Sequence, residues 1–422
     1  MSENNEKRSL WQALRSLRGN QRACVYTEPL WGIPYNLYSP YATLFMVALG
    51  VNDQQIGFLL SLGAVFQVIA ALLGGVLCDK LGRRVTTAVF DILSWSVPCL
   101  IWMFAQNFWW FVAAAVVNGM WKITDNAWNC LLVEDAKEED LVDIYTWINV
   151  SGLLAVFFAP ISGVLIAKLT IIPTMRILYF VTFVMMTSKF LILYFASRET
   201  KQGKIRMQET KDTSIWKMMW EYKDVLKMIF KSSGTRFIIL LYALINVSTM
   251  ITGSFFSLYI TENLGVSQSF VAVFPIVRAA LMLGFIFTIQ DRCNRLAYRP
   301  VMVGALVLYV ASHVMLLAAP VGNIWLVLGY TVCEAFACSL LMPRKDALMV
   351  IFIDAQERSR IQGMLYVVTM AITTPFGLLI GQLSAMDRRL TFALNIVIFI
   401  VMALMVTKSG VLKRQDREGG TE

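Results

Sequence analysis

Twelve stretches of roughly twenty residues, each nearly free of charge, recur along this chain of 422 residues. A helix of about 20 apolar residues crosses the hydrocarbon of a bilayer, where only the helix itself can satisfy its backbone polar groups. The stretches fall near 23–48, 54–78, 85–105, 108–133, 142–167 and 173–196, then 236–261, 267–290, 299–319, 323–347, 358–384 and 389–407. A polar, basic segment separates the first six from the last six. Only 15% of residues are charged, against about 25% in a soluble domain, and the mean hydropathy is +0.62. Apolar surface on that scale cannot be kept from water. The pattern predicts an all-α integral membrane protein of twelve transmembrane helices in two six-helix bundles, with a lipid bilayer as solvent.

The expected domains are a cytoplasmic N-terminus at 1–22, bundles at 23–196 and 235–408, a linker at 197–234 and a tail at 409–422. Residues 1–22 are polar and basic, and no small-residue cleavage site follows the first apolar run. Leu10, Trp11, Leu14 and Leu17 recur there at helical spacing, which predicts a short helix on the membrane surface. From Ile215 to Lys231 apolar and basic residues alternate at helical period, which predicts a second surface helix in the linker. About thirty Lys and Arg fall on the side of the N-terminus and about four on the other, namely Lys168, Arg176, Arg388 and Arg389. That bias puts both termini in the cytoplasm. The net charge of +9 is then a topogenic feature, and no basic–aromatic ladder suggests nucleic acid. Short loops, with no N-x-[ST] site in an external one, point to a bacterial cytoplasmic membrane. Seven scattered cysteines without a C-x-x-C pair, and the single His313, offer no metal site, disulfide framework or cofactor site.

The two halves echo each other. Gly75-Val-Leu-Cys-Asp79-Lys80-Leu81-Gly82-Arg83-Arg84 follows the second run, and Asp291-Arg292-Cys293-Asn294-Arg295 follows the eighth. In both, Asp is followed by a base and then by Arg four positions on. A looser echo pairs Glu134-Asp135-Ala136 and Pro160 with Asp354-Ala355 and Pro375.

The first segment closely resembles the signature loop of the major facilitator superfamily, G-x-x-x-D-[RK]-x-G-R-[RK], and stands between the spans where that family has it. The resemblance covers nearly the whole chain. It implies a carrier whose two bundles rock about a site near mid-membrane, acting as a monomer on a small-molecule substrate. In the loop, Gly82 allows a tight turn. Asp79 can accept hydrogen bonds from the start of the eleventh span near Ser359 and Arg360, and Arg83 or Arg84 can pair with Asp135 or Asp91. The resemblance also shows departures. The Arg that proton-linked members carry four residues before a Gly in span four is Ala115 here. The exporters' fifth-span motif survives only as Ala159-Pro160-Ile161-Ser162-Gly163.

Polar groups at bilayer depth are costly and therefore informative. The fourth span carries Asn118, Lys122, Asp125, Asn126 and Asn129 on one helical face. Lys122 and Asp125 can pair with each other, bind substrate or take up a proton. Asn246 in the seventh span and Gln362 and Tyr366 in the eleventh form milder stripes, which helix packing explains as well as substrate does. Arg278 and Glu334 lie at similar depths in spans eight and ten and are expected to face each other or a common ligand. The first span holds Glu28 with Pro29, Pro34 and Pro40, and the aromatics Trp31, Tyr35, Tyr38 and Tyr41 beside Asn36. Its prolines fit a helix lining a cavity. An acid early in helix one resembles some proton-coupled drug exporters of the family.

These features make a proton-coupled carrier of small organic solutes the leading expectation, with export of amphiphilic compounds ahead of uptake of a sugar or organic acid. A sensor built on the carrier fold is the expectation of another class. A membrane enzyme would need a catalytic cluster that one histidine in an apolar run does not supply, and no P-loop occurs.

Overall fold

The computed structural model describes residues 10–137, 140–215, 233–294, 296–352, 358–410 and 412, and every regular element among them is helical. Among the described residues, ten segments are long and apolar enough to cross a membrane. The second, third, fifth and sixth spans are Asp53–Leu81, Arg83–Phe104, Asp143–Leu169 and Ile171–Ala196. The seventh to twelfth are Ser233–Asn263, Gln268–Thr288, Tyr298–Leu317, Ile324–Met349, Met364–Met386 and Arg388–Lys408. The two remaining crossings are broken. The first runs through Gly19–Thr27, Pro29–Tyr38, a tight turn at Ser39–Tyr41 and Ala42–Ala48. Its three prolines each withhold a backbone donor. The fourth comprises Phe108–Asn118 and Trp121–Val133. Its break lies at Gly119, where a Cβ would stand 2.5 Å from Phe66 Cβ of the second span.

Side chains such as Phe195, Phe287 and Trp325 are exposed, as hydrocarbon permits on the outer face. Span ends are marked by local chemistry: Asn52 and Gln55 form a reciprocal cap on the second span, and Asp387 caps the twelfth. The even number of crossings brings the start of the first span back to the end of the sixth, where the Asn20 side chain bonds the Arg198 backbone in both directions. That end also carries the Gly75–Arg84 loop and is called the loop end below.

At the far end the two bundles touch. The second and eleventh spans approach so closely that a Cβ on Gly57 would lie 2.5 Å from Gly377 O and 2.6 Å from Gly381 Cα. Ser61 Oγ donates to Thr374 O at 2.6 Å and accepts from Leu378 N at 2.9 Å. Arg388 grips Asp53 through Nε at 3.0 Å and Nη2 at 3.1 Å, and Ser384 donates to the same carboxylate at 2.6 Å. Between the fifth and eighth spans, a Cβ on Gly163 would run into Ser269 O. Tyr41 Oη accepts from Ala272 N at 3.2 Å nearby.

Several expected features lie outside the described residues: residues 1–9 of the N-terminal surface helix, the linker helix from 216 to 231, Arg295, Asp354, Ala355 and the tail from 413. The side chains of Asp291, Ser359, Arg360 and Gln362 also lie outside the described set.

Candidate functional site

A cavity of about 1040 Å³ lies between the bundles, with walls from both halves. Three ion pairs stand on or beside it. Glu28 Oε2 of the first span meets Lys189 Nζ of the sixth at 2.8 Å, with side chains 12% and 6% exposed. Lys122 Nζ meets Asp125 Oδ2 at 2.5 Å within the fourth span. Arg278 Nε of the eighth span meets Glu334 Oε2 of the tenth at 2.8 Å. Arg278 also donates through Nη2 to Cys338 Sγ at 3.3 Å, while 42% of its side chain stays open toward the cavity. The two cross-span pairs satisfy charges that would otherwise be stranded at bilayer depth.

Of the expected residues, Glu28, Tyr35, Asn36, Asn118, Asp125, Arg278 and Glu334 line the cavity. Some of their amides are already engaged. Asn118 Nδ2 donates to Ser94 O at 2.8 Å across to the third span, and Asn36 Nδ2 to Gly32 O at 2.8 Å on its own helix. Lys122 lies at the border, its ammonium 3.8 Å from the Tyr366 ring centroid and 4.6 Å from that of Trp121. Tyr366 Oη in turn donates to Gln67 Oε1 at 3.0 Å, linking eleventh and second spans. Asn126 is exposed, Asn129 bonds the Asp125 carbonyl at 2.8 Å, and Asn246 is half-buried; none of these three lines the cavity. The fourth-span stripe is thus split between residues that line the cavity and residues that do not.

The signature loop closes on different partners from those expected. Gly82 takes φ +84°, a turn that a side chain would strain, and a Cβ there would meet Glu199 Oε2 at 2.6 Å. The turn folds Arg83 back over the loop. Its Nη1 lies 3.1 Å from Asp79 Oδ1 and its Nη2 3.0 Å from Glu134 Oε1. Glu199 accepts from the backbone N–H of Arg83 at 2.9 Å and of Arg84 at 3.0 Å. A short linker helix, Lys201–Glu209, then covers the loop. Arg206 Nη2 reaches Asp79 Oδ2 at 2.8 Å, and Lys80 Nζ donates to Thr210 O at 2.9 Å. Asp79 is therefore held by Arg83 and the linker. Asp135, proposed as an arginine partner, accepts instead from Lys201 N at 3.3 Å, and Asp91 lines the cavity. Arg84 donates to Tyr194 O at 2.8 Å and stacks on that ring. Gly75 sits in the last turns of the second span, and Arg292 is exposed in the matching loop of the second half.

Sequence reasoning missed Lys189, Gln67, Glu134, Glu199 and Arg206 as participants. Lys189 carried a signal as a base deep in an apolar span, but its partner was not identifiable. His313, the only histidine, sits in a wall with Nδ1 2.9 Å from Tyr309 O and Nε2 3.2 Å from Asn395 Nδ2, so both ring nitrogens are engaged.

A charged cavity between two six-helix bundles that meet at one end is the architecture of a major facilitator transporter. The chain belongs to the MFS_1 like family, whose model matches residues 36–394. It is 31% identical over 96 residues to the multidrug resistance protein MdtG of Serratia proteamaculans (strain 568), covering 22% of this chain and 23% of that protein. It is 25% identical over 176 residues to MdtG of Yersinia enterocolitica, covering 40% of this chain and 41% of that protein. The matches thus span less than half the length of these curated relatives. Among solved structures, a point mutant of the nucleoside transporter NupG superposes with TM-score 0.73 at 13% identity, covering 92% of this chain and 99% of that one. The xylose transporter XylE from E. coli does so with TM-score 0.64 at 13% identity, covering 92% and 95%. Identities this low speak for the shared fold alone.

Proposed function

We propose that this transporter moves a small organic solute by alternating access in exchange for protons, with amphiphilic compounds as cargo and export as the direction. The observation that supports this most is the cavity itself, which joins aromatic walls to ion pairs in both bundles and is closed by helix contact at the far end. With both termini in the cytoplasm, as the Lys and Arg bias indicates, the closed end is external and the cavity is poised to load from inside. Protonating Glu28, Asp125 or Glu334 would release its paired base. A proton then shifts the equilibrium between the two arrangements only by its differential affinity for them. The multidrug resistance relatives make amphiphilic compounds the first class to assay.

The test is transport in reconstituted vesicles under an imposed pH gradient. A lipophilic fluorescent solute should move against its own gradient and stop when the pH gradient is collapsed. If Glu28, Asp125 and Glu334 can each be neutralised without loss of that movement, the proton assignment to these residues fails.

A further inference from the structure

The far-end seam between the second and eleventh spans ends, at mid-membrane depth, on a contact of different chemistry. Tyr366 stands on Arg358–Met386, the same helix as Thr374, Gly377 and Gly381, so it moves with the seam face of the second bundle. Two residues of the first bundle hold it. Gln67 Oε1 accepts from its hydroxyl at 3.0 Å, and Lys122 Nζ lies 3.8 Å from its ring centroid. Gln67 follows Asp53 by fourteen residues, which places the contact about 21 Å from the far end. Helix backbone and a forked Arg388–Asp53 bond close the outer part of the seam; a cation over a ring closes its inner edge, beside the cavity.

The Lys122 ammonium is divided between bundles. Asp125 Oδ2 holds it at 2.5 Å from its own helix, and the Tyr366 ring holds it from the other side of the seam. Trp121, whose centroid is 4.6 Å away, belongs to the same helix as Lys122 and stays with it. Only 16% of the Lys122 side chain is exposed, so water competes little for the charge. A ring face attracts a cation within about 6 Å of its centroid. A carboxylate touching that cation cancels much of its field at the ring. The hold on Tyr366 is therefore weakest while Asp125 is charged, and it grows when that charge is removed. A withdrawal of the ring by about 2 Å ends it, and Tyr366 withdraws when the two spans part. Asp125 is 38% exposed and lines the cavity. Charge in the cavity thus reaches the seam through a single lysine.

We propose that Lys122 is a positioning residue that couples the cavity to the far-end seam: its ammonium over Tyr366 holds the seam shut, and the charge on Asp125 sets how firmly. This rests on the alternating-access reading and gives it a direction. Loss of the ammonium or of the ring loosens the far end. Neutralising Asp125 tightens it, and does so only through Lys122.

The test is pulsed electron paramagnetic resonance between spin labels at Gln54→Cys and Met386→Cys, both exposed at the far end, in full-length protein whose seven native cysteines are replaced. The background is Gly57→Val, which overpacks the seam so that a longer distance accompanies the short one. Tyr366→Phe and Tyr366→Leu both lose the hydroxyl, and only the second loses the ring. The ratio of long to short distances should be about two- to thirtyfold higher in Tyr366→Leu than in Tyr366→Phe, the strength of a cation–π contact. With Lys122→Gln also present, the two should agree within about twofold. Asp125→Asn should lower the ratio while Lys122 is present and leave it within about twofold in Lys122→Gln. A difference between Tyr366→Leu and Tyr366→Phe that is as large without Lys122 as with it overturns the proposal. So does a ratio that rises in Asp125→Asn, and this arm decides alone if proteins carrying Lys122→Gln do not fold. The distances are read without cargo. Proton-driven flux missing from the parent protein therefore defeats the transport reading and leaves the shifts standing, whereas flux with no shift in any variant defeats the role of Lys122 alone.

Discussion

Valine at position 57 tests whether the far-end contact between the bundles is a gate. The atoms nearest a Cβ on Gly57 are backbone, at 2.5 and 2.6 Å, and ordinary contact begins near 3.4 Å. No rotamer change relieves a clash with backbone, so the second and eleventh spans must part by about 1 Å to admit the side chain. Overpacking of this kind costs about 1–3 kcal/mol, and the strain exists only while the far end is closed. Placed on an equilibrium between closed and open far ends, that cost changes the population ratio by about five- to 150-fold. The shift is readable by pulsed electron paramagnetic resonance between spin labels at Gln54→Cys and Met386→Cys, both exposed at the far end. The seven native cysteines are replaced first. Without the valine, a single short distance is expected. With it, a longer distance should appear or dominate. An unchanged distance distribution together with an unchanged melting temperature refutes the reasoning, because the modified helix pair would then not be under strain.

Asp53→Asn removes the charge gripped by Arg388, whose partner carboxylate is only 9% exposed, and should lengthen the same distance; its effect should couple to that of Gly57→Val rather than simply add. Lys189→Met strands Glu28 in a buried site and should cost about 3–5 kcal/mol, seen as a lower thermal unfolding temperature, with much of the loss restored by a second change, Glu28→Gln. Gly82→Ala puts a Cβ at positive φ against Glu199 and should loosen the linker helix, measured as faster proteolysis within Lys201–Glu209.

The crossings were legible because twenty apolar residues in a row have few other uses. The kinked first span was legible too, since Pro29, Pro34 and Pro40 announce lost backbone donors. The need for glycine at the Gly119 break was not, because the side chain that leaves no room for a Cβ there is Phe66 on another helix. The Arg278–Glu334 pair could be expected from equal depth in two spans. The Glu28–Lys189 pair could not, since 161 residues separate the partners and only packing places the first span against the sixth. At the loop end, neighbouring Glu134 and Asp135 are indistinguishable by sequence, yet one residue is about 100° around a helix, and Arg83 takes Glu134. The linker read as a polar, basic stretch with a surface helix in its later part, and nothing in its composition indicated that Glu199 and Arg206 would fold back on the signature loop.

Alternating access requires that one polar chamber between the bundles open to each side of the membrane in turn. Thr249 lines that chamber, is exposed and carries no charge. A single cysteine at Thr249, in protein of known orientation in vesicles, can be challenged with a membrane-impermeant maleimide from one face and then from the other. Labelling is expected from the loop-end face, together with labelling from the far face that rises with Gly57→Val. Labelling confined to one face under every condition, including that variant, would contradict it.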